Sequence, residues 1–177
     1  MITTKYKYQK DTDSRKWVVD NLLVNARQIF CPDSRYDSFD IYYWPKEELD
    51  ERGYDKNNKS RWIEIKTRNF NHNKYPTTII EKDKYDKMTG STFIVDIPVE
   101  LIVLFEDGFV YYTAKDVKNM TKNVSKKKCP DQYDGDANKW CDKTKEVVEI
   151  EITENKFHPY NETNKLYLKI SDSGRNN

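Results

Sequence analysis

The segment Arg61-Trp62-Ile63-Glu64-Ile65-Lys66-Thr67-Arg68 (RWIEIKTR) alternates in character along its length. Ile63 and Ile65 fall on one side; Trp62, Glu64, Lys66 and Arg68 fall on the other. Successive side chains of a β-strand point to opposite faces, so the alternation predicts a strand. Ile65 then anchors one face. On the other face a carboxylate, an ammonium and a guanidinium project together from positions 64, 66 and 68.

Working upstream, RYDSFDIYYW (35–44) is rich in aromatics and reads as a strand stopped by Pro45. It carries two acids, Asp37 and Asp40. A regular strand orients these two oppositely, so only one of them can face Glu64 unless a bulge intervenes. Before it, DTDSRKWVVDNLLVNARQIF (11–30) predicts a helix. Asp13 or Ser14 can cap it, Trp17, Val18, Leu22, Leu23, Ala26 and Ile29 recur at helical spacing, and Pro32 follows its end.

Downstream of the strand, 69–74 reads as a loop, 75–80 as a strand and 81–88 as a short helix ended near Gly90. Residues 99–105 and 109–113 read as a hairpin turning at Glu106-Asp107-Gly108, and Thr113 can cap a helix over 114–119. A polar connection spans 46–60, with a short helical turn at 46–51. The expected division is an α/β core over 1–119, a polar loop or insertion over 120–144, and a C-terminal β-hairpin over 145–177, with strands at 145–153 and 165–170 and a frayed tail. The fold class is α+β, a mixed sheet flanked by helices with an extra β-rich C-terminal part.

The chain has 177 residues, enough for one domain and one core. Its 31 basic and 30 acidic residues leave a formal charge of +1, so the molecule as a whole is not a basic particle. The distribution is uneven: residues 52–87 carry a local +5, and 118–128 hold five lysines and no acid. Localised basic surface on a near-neutral protein suits a polyanionic partner. Three cysteines, Cys31, Cys129 and Cys141, with no apolar stretch at the N-terminus, argue against a disulfide framework and for a reducing, cytoplasmic setting. The greasiest run, 97–105, is about half the roughly 20 residues a membrane helix needs.

Two carboxylates brought close repel each other, and a hard divalent cation relieves that repulsion. Mg²⁺ takes one or two carboxylates together with waters and phosphate oxygens. An ammonium beside such a site can orient or help deprotonate water, or stabilise the extra negative charge on a pentavalent phosphorus. The inventory also excludes rivals. There are two histidines, His72 and His158, and no compact His-based metal motif, no GxSxG, no phosphate-binding glycine loop and no dinucleotide fingerprint. Cys129 and Cys141, eleven residues apart, lack the tight spacing of a zinc site.

The ordered pieces RYDSFD, RWIEIKTR, YPTTIIEKDKYDKM and ELIVLFEDGFVYY resemble the PD-(D/E)XK nuclease superfamily, which includes restriction endonucleases, archaeal-type Holliday junction resolvases and phage-type exonucleases. The resemblance spans roughly residues 17–119. It implies a restriction-endonuclease-like core that hydrolyses DNA with Mg²⁺, for which Mn²⁺ can substitute. Asp37 and Glu64 would be catalytic metal ligands, the Ile65 carbonyl a third ligand and Lys66 the catalytic lysine that activates the water. No proline precedes the acid, since the pair is Tyr36-Asp37, and Asp37 and Asp40 compete for the role. Asp37 is favoured because it stands at a strand entry, where the metal site of this family usually lies. Relatives that cut two strands are usually dimers, which leaves a homodimer open. Abundant Lys, Asn, Tyr and Ile fit AT-rich coding, as in many phages.

Glu81 and Lys84 stand on the short helix after the third strand. Lys84 could meet a phosphate and Glu81 support the metal shell; the plainer reading is a surface ion pair. Arg68, Asn69, His72 and Lys74, and further on Lys126, Lys127 and Lys128, could contact nucleic acid, against the plainer reading of solvated loops. Two rivals to the nuclease stand beside it. One is a nuclease fold that binds DNA without cutting it, such as a phage accessory protein. The other is an interaction protein in which Glu64 and Lys66 form only a surface ion pair.

Overall fold

The computed structural model describes residues 4–24, 26–32, 39–45, 60–90, 98–131 and 141–160. Three helices and nine strands follow in the order α1 (Thr4–Leu22), β1 (Ala26–Phe30), β2 (Ile41–Pro45), β3 (Arg61–Thr67), β4 (Thr77–Glu81), α2 (Lys82–Met88), β5 (Val99–Leu104), β6 (Gly108–Thr113), α3 (Ala114–Asn119), β7 (Thr121–Asp131), β8 (Cys141–Glu151) and β9 (Phe157–Pro159) among the described residues. Six strands form one sheet in the order β1-β2-β3-β5-β6-β9, and β4, β8 and β7 form a second. The first sheet is mixed, because β3 and β5 run parallel while their outer neighbours run antiparallel. A parallel pair needs a crossover, and β4 and α2 supply it.

β3 obeys the alternation of its sequence. Ile63 packs with Val18 and Leu22 of α1, Ile41 of β2 and Ile102, Leu104 and Phe109 of β5–β6. On the other face Leu101, Val103 and Tyr112 pack against Ile80 of β4, Met88 of α2, Val117 of α3 and Val148 and Ile150 of β8. The molecule therefore has α1 on one face of the six-stranded sheet, and the second sheet with α2 and α3 on the other. Burying each such aliphatic side chain contributes about 1.5–3 kcal/mol. The expected α+β architecture of a mixed sheet between helices with a β-rich C-terminal part holds.

Two parts of the sequence reading are corrected. The helix starts at Thr4 and ends at Leu22, so Ser14 lies inside it and is no cap. Residues 26–30 leave the helix and pair antiparallel with β2. The spacing of Ala26 and Ile29 suits a helical face; a register shift between Ala26 and Gln28 lets both pack toward α1 from a strand, and the ladder to β2 decides. The second correction concerns 120–144, expected as a polar loop or insertion, whose described residues are mainly strand and not loop. It contributes β7 and most of the outer half of β8, two eleven-residue strands of a long hairpin. The stretch 145–153, expected as one strand of a separate terminal hairpin, supplies the rest of β8, which is also paired with β4. The expected helical turn at 46–51 and strand at 165–170 lie outside the described residues.

Other elements follow their local signals. α2 gives way at Gly90, whose φ of 83° suits a residue without Cβ. α3 is held by a capping box: the Asp116 amide donates to Thr113 Oγ1, and the Asp116 carboxylate accepts from the Thr113 amide. At the start of β3, buried Arg61 pairs with Glu100 at 3.2 Å, and the Tyr43 hydroxyl donates to the same carboxylate at 3.0 Å. Burial, then the neighbouring Glu100 charge, pushes the Tyr43 hydroxyl well above the usual phenol range.

Gly108 is the tightest backbone approach. A Cβ there would stand 2.4 Å from the His158 carbonyl oxygen and 2.6 Å from the Phe157 ring. Gly108→Ala should therefore push β9 off β6 and lower stability by about 1–3 kcal/mol, measured by urea denaturation. An unchanged midpoint would contradict this packing.

Candidate active site at the end of strand β3

Position 40 ends the β2–β3 ladder. The Asp40 amide donates to the Ile63 carbonyl at 2.9 Å, as a strand residue should. The next N–H on that edge, Ile65, donates instead to the Asp40 carboxylate, Oδ2, at 2.7 Å. A side chain thus takes the place of the main-chain acceptor. Phe39 packs into the cluster between the sheets and Ile41 into the cluster under α1, so the two-residue alternation breaks at Asp40. In a strand, one residue's C=O leaves on the same edge as its N–H. The Ile65 carbonyl therefore lies on the edge that β2 stops covering.

α1 completes this corner. Arg15 Nη2 meets Asp40 Oδ1 at 2.9 Å, and its Nη1 donates to the Pro32 carbonyl at 2.6 Å. The Ser14 and Thr67 hydroxyls share a hydrogen bond of 2.8 Å. Three hydrogen-bonded contacts thus seat the helix beside β2 and the end of β3.

On the face between the sheets, Glu64 is 2% exposed. Its Oε1 lies 2.7 Å from Lys66 Nζ and its Oε2 3.0 Å from Lys84 Nζ of α2. Lys66 reaches on to Glu81 at 3.5 Å, and Glu81 also pairs with Lys145 of β8 at 2.9 Å. A chain of charges, Lys84–Glu64–Lys66–Glu81–Lys145, thereby crosses from one sheet to the other. Burial alone would lower the Lys66 ammonium; the carboxylates of Glu64 and Glu81 outweigh it and raise Lys66 above its ordinary range, with Asp40 adding to the effect. Burial alone would raise the Glu81 carboxyl; Lys66, Lys145 and Lys84 outweigh it and hold Glu81 below its ordinary range. Among the described residues, Arg15, Lys66, Lys84 and Lys145 pair with Asp40, Glu64 and Glu81.

Of the residues singled out in the sequence, Glu64, Ile65, Lys66, Glu81 and Lys84 meet here. Asp37 lies outside the described residues; Asp40, just before β2, sets its carboxylate on the Ile65 amide. Arg68 turns to β4, donating to the Ile79 carbonyl at 2.6 Å and to Thr78 Oγ1 at 3.3 Å. His72 is held between Asp107 at 2.7 Å and Glu154 at 3.2 Å and stacks 3.5 Å from the Phe157 ring, which suits a clamp between loops. Asn69 and Lys74 are exposed. On β7, Lys126 and Lys128 are exposed while Lys127 pairs with Glu149 at 2.7 Å. The sequence reading missed Arg15 and Lys145. Both act across long stretches of chain and leave no local pattern.

Asp40, Glu64 and the Ile65 carbonyl are hard-oxygen donors of the kind Mg²⁺ takes, and two ammonium groups sit on the Glu64 oxygens. The chemistry of these donors fits such an ion. Among the described residues no three His, Cys, Asp or Glu side chains converge.

A carboxyl held below its unfolded value stabilises the fold above that value and loses the contribution as pH falls through the folded one. For Glu81 the reference value is 4.5. Denaturant titrations below about pH 4.5 should show the wild type losing more stability per pH unit than Glu81→Gln. Parallel acid limbs would mean that Glu81 gains nothing from its lysines.

No family model matches the sequence, and no curated protein matches it. Among solved structures, the fold is similar to Hjc, a Holliday junction resolvase from the archaeal hyperthermophile Archaeoglobus fulgidus. The TM-score is 0.46 at 10% identity, covering 85% of this chain and 92% of that one. It is also similar to a nuclease from a fusselovirus, with a TM-score of 0.38 at 15% identity, covering 97% of this chain and 94% of that one.

Proposed function

We propose that this protein is a metal-dependent nuclease that hydrolyses phosphodiester bonds of DNA. One observation carries the reading: Asp40 ends the β2–β3 ladder on Ile65, next to the Glu64 and Lys66 pair, which gathers two carboxylates, an edge carbonyl and an ammonium at one corner of the sheet. The names of the two similar structures, a resolvase and a nuclease, accord with it.

Mg²⁺ or Mn²⁺ would be held by Asp40, Glu64 and the Ile65 carbonyl, and when bound would polarise the phosphate. The remaining work falls to the chain itself. Hydrolysis joins a water oxygen to phosphorus, breaks one ester P–O bond and leaves the departing oxygen with a proton. Lys66, kept protonated by Glu64 and Glu81, is suited to stabilise the added charge on phosphorus in the transition state. Arg15 fixes the Asp40 carboxylate against rotation. The lysines gathered at this corner suit the DNA backbone, although the whole chain is nearly neutral. The exposed Lys126 and Lys128 of β7 are candidates for further backbone contact, and a homodimer would suit the cutting of two strands.

A second reading, a nuclease fold that binds DNA without cutting it, draws on the same carboxylates, because all four of their oxygens already carry N–H donors.

The test is cleavage of duplex, single-stranded and branched DNA with Mg²⁺ or Mn²⁺. Glu64→Gln, Lys66→Met and Asp40→Asn should each lower the rate by about a hundredfold or more while the protein still binds DNA. Asp37→Asn, measured alongside, reads whether the other candidate acid shares the role of Asp40. Wild-type protein that binds DNA but cuts no form of it with either ion would favour the second reading.

A further inference from the structure

We propose that the loop joining β3 to β4 is a docking surface for an unpaired nucleotide, with the Tyr75 ring stacked on its base and the Lys74 ammonium on its phosphate. The inference rests on the nuclease reading for the place of the cut, and adds to it a preference for DNA that offers unpaired bases beside that place. No acid stands among residues 68–76 (RNFNHNKYP). Tyr75 is 50% exposed, and Lys74 beside it is exposed as well. Lys74 Nζ lies 5.6 Å from the centre of the Tyr75 ring and 5.5 Å from that of Phe70. The two rings meet edge to face, with their centres 5.0 Å apart. A single exposed ring on a protein surface carries no message. A ring backed by a second ring, with an ammonium lying against both, has the two parts that a nucleotide needs: an aromatic surface for the base and a cation for the phosphate.

The loop holds that pair in place before any ligand arrives. The Arg68 amide donates to the Leu104 carbonyl at 2.8 Å, and the Glu106 amide donates to the Phe70 carbonyl at 3.2 Å. The His72 amide donates to Asp107 Oδ1 at 3.0 Å, and the Ile152 amide donates to the Pro76 carbonyl at 2.9 Å. The His72 ring, stacked on Phe157, closes the middle of the loop against β9. Both oxygens of Asp107 are taken by His72. A surface fixed in this way loses little conformational freedom on binding. Chain continuity sets it beside the proposed site. The loop leaves β3 after Thr67, whose hydroxyl shares a hydrogen bond with Ser14, and returns into β4, whose last residue is Glu81. Bases inside a duplex are already stacked on both faces, whereas a base in a single-stranded tail has a free face. Tyr75 therefore reads whether a base is unpaired, and Lys74 meets a phosphate of either form.

The experiment measures binding of the full chain, without divalent ions, to a blunt DNA duplex and to the same duplex carrying a short single-stranded tail. Fluorescence anisotropy reads affinity, and a 2-aminopurine in the tail reads stacking through its quenching. The wild type should bind tailed DNA about tenfold more tightly than blunt DNA and quench the probe. Tyr75→Ala should lose the preference and the quenching while its affinity for blunt DNA stays nearly unchanged, and Tyr75→Trp should keep both. Lys74→Gln should weaken binding to both forms by a similar factor and flatten its salt dependence. Equal wild-type affinity for the two forms overturns the proposal. So does a Tyr75→Ala protein that keeps the preference and the quenching, or that loses blunt and tailed binding alike. Lys74→Gln with unchanged affinity for both forms overturns the phosphate contact. A wild type that cuts DNA without any tail preference sinks this surface and leaves the nuclease reading standing. A wild type with the tail preference that cuts no DNA with Mg²⁺ or Mn²⁺ does the reverse.

Discussion

A carboxylate buried like Glu64 is costly unless its charge is met, since an ion removed from water loses several kcal/mol of solvation. Two ammonium groups meet it here, one from the same strand and one from α2. That requirement places constraints well beyond the site. α2 must lie over the end of β3, and β4, which precedes α2, must deliver it there. Glu81, the last residue of β4, joins the same chain of charges and passes it to Lys145 on β8. The second sheet is therefore fastened to the first at the point where the chemistry is proposed to occur. Apolar packing of Ile80, Val148 and Ile150 against Leu101 and Val103 supplies the driving force for this layering. The ions fix how the layers are aligned.

Asp40 plays a comparable part on the sheet edge. By accepting from Ile65 it satisfies a strand N–H that has run out of main-chain partners, which lets β2 end without leaving that donor orphaned. Its other oxygen holds Arg15, so the same carboxylate that opens the sheet also locates α1. Both acids of the corner thus have structural duties. A substitution at either one alters charge compensation as well as any chemistry, and DNA binding and stability need measuring alongside rate.

How far the site was readable from sequence can be traced residue by residue. Glu64 and Lys66 were visible because a period of two is a local property of eight residues. The capping of α3 by Thr113 was visible for the same reason. The part Asp40 plays at the sheet edge was not, because it depends on where the ladder breaks, and a break of alternation at Asp40 has no signature in RYDSFDIYYW. The β7 strand was hidden by its position at the edge of its sheet. Residues 122–124, 126 and 128 face solvent, so the segment has no apolar period to betray a strand and reads as a loop. Ala26 and Ile29 misled in the opposite way, since their spacing suits a helix while their pairing makes a strand.

The sequence by itself determined the mixed α+β class, the strand at 61–67 and the projection of a carboxylate and an ammonium from one face of it. These follow from side-chain periodicity and from steric preferences acting over a few bonds. Only the tertiary structure decided that Asp40 is the acid at the edge of β3, that Lys84 and Lys66 share Glu64, that Arg15 and Lys145 belong to the cluster, and that Arg68 and His72 are spent on internal contacts. Each of those depends on which charges the packed layers bring within about 3 Å of one another, across separations of chain that no local pattern encodes.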